Sequence, residues 1–234
     1  MTEVLVGIQA RSTSKRLPGK CLEIIDQNSM TEHVLTACHS SSMHINRTNF
    51  TKAINCNVAL LIPFGDKLKA AFPNEHIVEE DEDDVLARYH KAMEEFNADY
   101  VVRITSDCPL MSPPLITKHI MCAVKERLDF CSNVYDGCRT FIDGLDVEVI
   151  SRKLLIWLHS SATEAADREH VTTYFKKHPP LWAKVGSIIG HIDLSDVKLS
   201  VDTLEELNRV RENRKRVMEK VTLANRLNHV VFRF

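Results

Sequence analysis

Two short apolar runs restrict the fold of this chain more than any other stretch. Val4-Leu-Val-Gly-Ile-Gln9 and Val58-Ala-Leu-Leu-Ile62 are continuous rather than alternating, and the second stops at Pro63. A strand with one wet face alternates apolar and polar residues, so a continuous run reads as a strand buried on both faces. Helices must then cover both sides of the sheet. Further strands are expected at His76-Ile-Val78, Tyr100–Thr105, Phe130–Ser132, Leu145–Ile150, Trp182–Gly190 and Leu199–Val201. Alternation with helical segments predicts an α/β fold: a three-layer, Rossmann-like, mostly parallel sheet with helices on both faces. The 234 residues suffice for one large domain spanning 1–234, with a C-terminal helix and tail from about residue 203.

The intervening helices are expected at Met30–Ser40 with Ser29 as N-cap, at Asp66–Phe72, at Val85–Phe96 and at Ser112–Arg127, whose first turn accepts Pro113 and Pro114. Others follow at Ser151–His159, from Asp167 to before Pro179, and from Asp202 to about Lys220. Residues 41–57 carry no clear period and are expected to be irregular. A polar, Gly-containing loop over residues 133–144 is expected to act as a mobile lid.

A formal charge of −2 argues against nucleic acid as a partner, because such binders carry a basic footprint. Any anion site must be local. Seven scattered cysteines without C-x-x-C spacing point to reduced thiols in a cytoplasmic protein. No apolar run approaches the ~20 residues that span a bilayer, and the chain enters a strand at once, so neither a membrane partner nor a signal peptide is expected.

The local site begins where the first strand ends. Ala10 to Lys20 holds Arg11, Arg16 and Lys20, the hydroxyls of Ser12, Thr13 and Ser14, and Gly19. Open α/β sheets bind ligands at strand carboxyl ends, and this charge density suits a polyanion such as a nucleoside triphosphate. Asp107 and Asp202 also follow predicted strands. Two such carboxylates can share a hard cation, and Mg²⁺ typically takes one or two carboxylates plus phosphates and waters. Taken alone, Asp202 reads as a helix cap with Glu205 completing the box. Beside Asp107 and a cationic loop it becomes a metal candidate.

Other charged groups admit two readings. Asp146 and Glu148 share one face of their predicted strand. Asp167-Arg-Glu-His170 is either a salt-bridged helix start or an acceptor clamp, with Arg168 on an anion and His170 on a hydroxyl or carboxylate. Arg103, inside an apolar strand, requires a carboxylate or nucleotide partner. Glu79-Glu-Asp-Glu-Asp-Asp84 is a solvated acidic loop entering a helix N-terminus that favours negative charge. No Ser-His-Asp constellation is present, so an acceptor would supply its own nucleophilic oxygen.

Six motifs occur in order: Ile8-Gln-Ala-Arg11 with Arg16-Leu-Pro-Gly-Lys20, Asp84-Val-Leu-Ala-Arg88, Arg103-Ile-Thr-Ser-Asp-Cys-Pro-Leu110, Gly144-Leu-Asp-Val-Glu148, Asp167-Arg-Glu-His-Val171 and Val201-Asp-Thr203. Together, over residues 4 to about 210, they resemble the spore-coat polysaccharide protein F group of cytidylyltransferases, relatives of enzymes that make CMP-activated Kdo and sialic acids. The resemblance implies a glycosyltransferase-A-like nucleotidyltransferase fold. It also implies use of CTP and Mg²⁺, transfer of CMP to a sugar oxygen, and release of pyrophosphate in surface polysaccharide or glycoconjugate biosynthesis. By the family pattern, Arg11, Lys20 and Asp107 are catalytic, and Asp107 and Asp202 hold the metal. Gln9, Ala10, Arg11, Ser12, Lys20, Asp84, Arg88 and Ser106 face the nucleotide, while Asp146, Glu148, Arg168 and His170 face the acceptor. Expected partners are CTP, a sugar or sugar-like acceptor, and a second copy of the chain in a homodimer, with Phe232 and Phe234 of the tail as contacts. Two other readings stay open. One is a phosphorylated or phosphonate acceptor. The other is a nucleotide-binding relative without turnover, because Ser12-Thr-Ser-Lys15 stands where relatives often carry Met-Gly-Ser-Thr and lacks that glycine.

Overall fold

The computed structural model describes residues 1–47, 53–135, 139–212 and 228–233. The strands are β1 (Thr2–Gln9), a small hairpin β2 (Ile24–Ile25) and β3 (Asn28–Ser29), then β4 (Ile54–Pro63), β5 (Ile77–Glu80), β6 (Tyr100–Thr105), β7 (Phe130–Ser132), β8 (Glu148–Ser151), β9 (Val185–Gly190) and β10 (Asn228–Arg233). All but the hairpin strands form one eight-stranded sheet, in the order β10-β9-β7-β8-β6-β1-β4-β5. It is mostly parallel: β8 runs antiparallel between β6 and β7, and β10 antiparallel along β9. The helices are α1 (Met30–Arg47), α2 (Leu68–Ala71), α3 (Val85–Glu95), α4 (Pro113–Glu126), α5 (Arg152–Ser161), α6 (Ala165–Glu169), α7 (Thr173–Lys177) and α8 over residues 204–212.

The continuous apolar run of β1 serves both faces, as its pattern requires. Val4, Val6 and Ile8 enter a core with Val34 and Cys38 of α1 and Ile116 and Ile120 of α4. Leu5 points the other way, into a core with Leu86 and Tyr89 of α3 and Leu154 and Leu158 of α5. Gly7 occurs in mid-strand because the Tyr89 ring lies against it; a Cβ there would sit 2.8 Å from Tyr89 Cε1. The Tyr89 hydroxyl is 3.1 Å from Gly7 O and 3.2 Å from Ile104 O, tying α3 to β1 and β6.

Several sequence expectations are corrected. The described parts of 41–57 are not irregular: α1 continues to Arg47 and β4 starts at Ile54, while residues 48–52 lie outside the described residues. Polar bonds replace the missing apolar period here, with Ser42 Oγ donating to Cys56 O at 2.5 Å and Asn46 bonding both N–H and C=O of Cys56. The strand expected from Leu145 begins only at Glu148. The Asn133 side chain takes its place, donating to Leu145 O at 2.8 Å and accepting from Val147 N at 2.9 Å. Leu199–Val201 is no strand; a single bridge pairs Asp143 with Lys198. The strand expected from Trp182 starts at Val185. The helix from Asp167 is broken into α6 and α7 at Val171, whose φ of 58° is left-handed.

The expected lid lies partly outside the described residues, as do the helix beyond 212 and Phe234. Phe232 falls within β10, at the sheet edge. The described cysteines are free and buried. Among the described residues no helix is long and apolar enough to cross a membrane.

Candidate functional site

A cleft of about 790 Å³ opens at the carboxyl ends of β1 and β6. Of the residues singled out from sequence, Gln9, Ala10, Arg11, Lys20, Arg88 and Ser106 line it, together with Asp107, Asp146, Glu148, His170 and Asp202. Ser12, Asp84 and Arg168 do not. The Ser12 N–H donates to Asp66 at 2.8 Å. Asp84 caps α3 by accepting from Ala87 N at 2.8 Å, and its second oxygen pairs with Arg168 Nε at 2.7 Å. Arg168 also donates to His159 O and Ala162 O, so its guanidinium is engaged away from the cleft.

The floor of the cleft is a row of side chains on adjacent strands. Glu148 on β8, Arg103 on β6 and Gln9 on β1 are linked by bonds of 2.8 Å and 3.1 Å. Arg103 thus finds the carboxylate its position demanded. Glu148 is 2% exposed and also contacts Lys176 Nζ at 2.8 Å and Thr172 Oγ1 at 2.9 Å. Burial alone would push its carboxyl up, but Arg103 and Lys176 overrule burial and hold it down at about 2. Because Thr172 caps α7 and Lys176 lies within it, both just after the break at Val171, Glu148 anchors the α7 side of the strained turn that follows His170. A β-branched residue with positive φ persists only where its surroundings hold it. Burial pushes the nearby Asp146 carboxyl up to about 6, with Arg139 opposing and Asp143 and Glu148 adding to the rise.

The strand-end carboxylates converge on one cation. Lys20 Nζ lies 3.1 Å from Asp107 Oδ2 and 2.9 Å from Asp202 Oδ1. Burial tends to discharge this lysine, but the two carboxylates prevail and raise its pKa. Asp202 also meets Arg16 at 2.8 Å and Lys198 at 3.3 Å. The cap expected of Asp202 and Glu205 is displaced by one residue. Glu206 accepts from the N–H groups of Asp202 and Thr203, and Thr203 Oγ1 accepts from Glu206 N. This frees the Asp202 carboxylate for the cleft. Gly144 (φ 106°) brings the second wall against it; a Cβ there would sit 2.6 Å from Ser200 N.

Sequence reasoning missed several contributors. Asp66 anchors the cationic loop. Glu82 pairs with Arg11 at 3.6 Å and accepts from Thr13, and Glu169 reaches Arg11 at 3.5 Å. The acidic run is therefore part of the cleft wall, which charge counting alone does not reveal. Arg88, 2% exposed, holds that run through Asp81 O and Glu82 O.

A divalent ion fits the Asp107–Asp202 pair by the chemistry of its donors, two carboxylates in reach of one cation, with phosphates and water completing the shell. Among the described residues no group of three or more His, Cys, Asp or Glu is arranged to hold a metal without such help.

The chain is similar to known proteins over almost all of this architecture. Spore coat polysaccharide biosynthesis protein SpsF of Bacillus subtilis is 26% identical over 237 residues, covering 97% of this chain and 95% of that protein. A cytidylyltransferase from Leptospira borgpetersenii superposes with a TM-score of 0.79 at 24% identity, covering 92% and 88% of the two chains. A CMP:2-keto-3-deoxy-manno-octonic acid synthetase complexed with CTP superposes with a TM-score of 0.65 at 13% identity, covering 92% of this chain and 100% of its own. The sequence profile of the family described as Cytidylyltransferase matches residues 5–229, and the chain belongs to that family.

Proposed function

We propose that the chain transfers CMP from CTP to a hydroxyl of a sugar acceptor, releasing pyrophosphate, in cytoplasmic assembly of a surface polysaccharide or glycoconjugate. The observation that carries this reading is the convergence of Lys20, Asp107 and Asp202 beside Arg11 and the cationic loop in one cleft. Family membership supports the nucleotide, and the polysaccharide role named for the Bacillus subtilis relative supports the acceptor class.

In this reading Arg11 and Lys20 hold the phosphates, while Gln9, Ala10 and Ser106 border the nucleotide. Asp107 and Asp202 would hold Mg²⁺, which would supply neutralisation of the charge developing on the phosphates. Asp146, Glu148 and His170 line the acceptor wall. An acceptor hydroxyl attacks the α-phosphorus, forming the new P–O bond as the bond to pyrophosphate breaks, and the hydroxyl proton passes to water. On that side Arg103 and Lys198 line the cleft, and they, like the neighbouring Arg139 and Lys176, are each paired with carboxylates, as Arg168 is with Asp84. That pattern supports a neutral hydroxyl acceptor over a phosphorylated one.

The test is pyrophosphate release from CTP with Mg²⁺ across a panel of sugars, sugar phosphates and phosphonates. Release with a sugar, abolished in Asp107→Ala, is expected. Release unchanged in Asp107→Ala would rule the mechanism out.

A further inference from the structure

An ammonium group has three N–H donors. In Lys20 all three are taken: by Asp107 Oδ2 at 3.1 Å, Val201 O at 2.8 Å and Asp202 Oδ1 at 2.9 Å. None remains for a phosphate. Asp202 is further committed, with Oδ2 3.3 Å from Lys198 Nζ, whereas Asp107 Oδ1 has only the weak thiol donor of Cys108 at 3.6 Å. Lys20 is 13% exposed, Asp202 19% and Asp107 30%, so solvent screens these contacts only in part. The ammonium therefore sits where a divalent ion bridging the two carboxylates would bring its own charge, and the two cations repel at that range.

We propose that Lys20 is the resident counter-ion of the Asp107–Asp202 pair, and that a divalent ion gains this site only in company with a triphosphate. Resting on the nucleotidyltransferase reading, the exchange runs as follows. The phosphates take over the N–H donors of Lys20, the ammonium leaves the carboxylates, and the carboxylates become free to ligate. Lys20 thus couples metal occupancy to nucleotide occupancy. The backbone bond to Val201 O, on the residue preceding Asp202, ties the same ammonium to the segment that carries Asp202.

The experiment is a Mn²⁺ titration of the full chain without nucleotide, followed by electron paramagnetic resonance; Mn²⁺ favours the same oxygen ligands. Wild type is expected to bind Mn²⁺ at least tenfold more weakly than Lys20→Met, and Lys20→Arg to match wild type. Adding Asp202→Asn to Lys20→Met should erase the gain. Thermal melting checks folding, and Lys20→Gln carries the same comparison if Lys20→Met does not fold. Equal affinity in wild type and the neutral variants overturns the proposal whatever CTP does. If the neutral variants gain Mn²⁺ but added CTP fails to recruit it to wild type, the counter-ion assignment is upheld, while the coupling to nucleotide is overturned and the cytidylyltransferase reading fails with it.

Discussion

Glu148 shows how a single buried charge organises the cleft. It pairs with Arg103 and Lys176 and fixes the start of α7 through Thr172. Removing one partner of a buried ion cluster strands the others, at a cost of about 3–5 kcal/mol. Glu148→Gln should therefore lower stability at pH 7 by about that amount in denaturant unfolding. The pH dependence has a definite sign. The folded-state carboxyl sits at about 2, below its ordinary value, so its stabilisation is complete above that ordinary value and is lost as pH falls toward about 2. The gap between wild type and Glu148→Gln should accordingly narrow below pH ~4. A pH-independent gap would mean that packing, not charge, is lost. Arg103 was legible as a residue needing a partner because it stands in an apolar strand. Lys176 was not, since a lysine on a short helix resembles any solvated one.

At the scale of elements, the start of α8 decides what Asp202 is free to do. Sequence spacing allows two capping boxes one residue apart, Asp202 with Glu205 or Thr203 with Glu206, and the structure takes the second. Glu205 instead lies 84% exposed beside Arg209. Glu206→Ala should cost about 1 kcal/mol of stability through the lost cap, whereas Glu205→Ala should be nearly neutral; urea midpoints of the two variants check this. A larger loss for Glu205→Ala would restore the first register and return Asp202 to the cap. Strand and helix alternation was readable wherever apolar periodicity carried it, as in β1, β4, β6, α3 and α4. It failed where polar side chains supply the backbone's partners. Asn133 replaces a ladder partner before β8, and Ser42 and Asn46 hold the end of α1 to β4. Such bonds leave no hydrophobic period to read.

In the whole molecule, the site depends on segments far apart in sequence meeting above one sheet. Lys20, Asp107 and Asp202 come from three such segments, so their convergence is a property of topology that spacing alone could only anticipate. The sheet ends at one edge with β10, which covers β9. Truncation before residue 228 should leave β9 as an open edge and convert soluble protein to larger aggregates in size-exclusion chromatography; an unchanged profile would make β10 dispensable. This cleft should recognise CTP and a divalent ion together, and calorimetry of nucleotide binding tests that without knowledge of the acceptor. With Mg²⁺ present, CTP should bind wild type at least tenfold more tightly than ATP, GTP or UTP, and Asp107→Ala and Asp202→Ala should each lose most of that affinity. CTP binding no tighter than the other triphosphates, or undiminished in both variants, would contradict it.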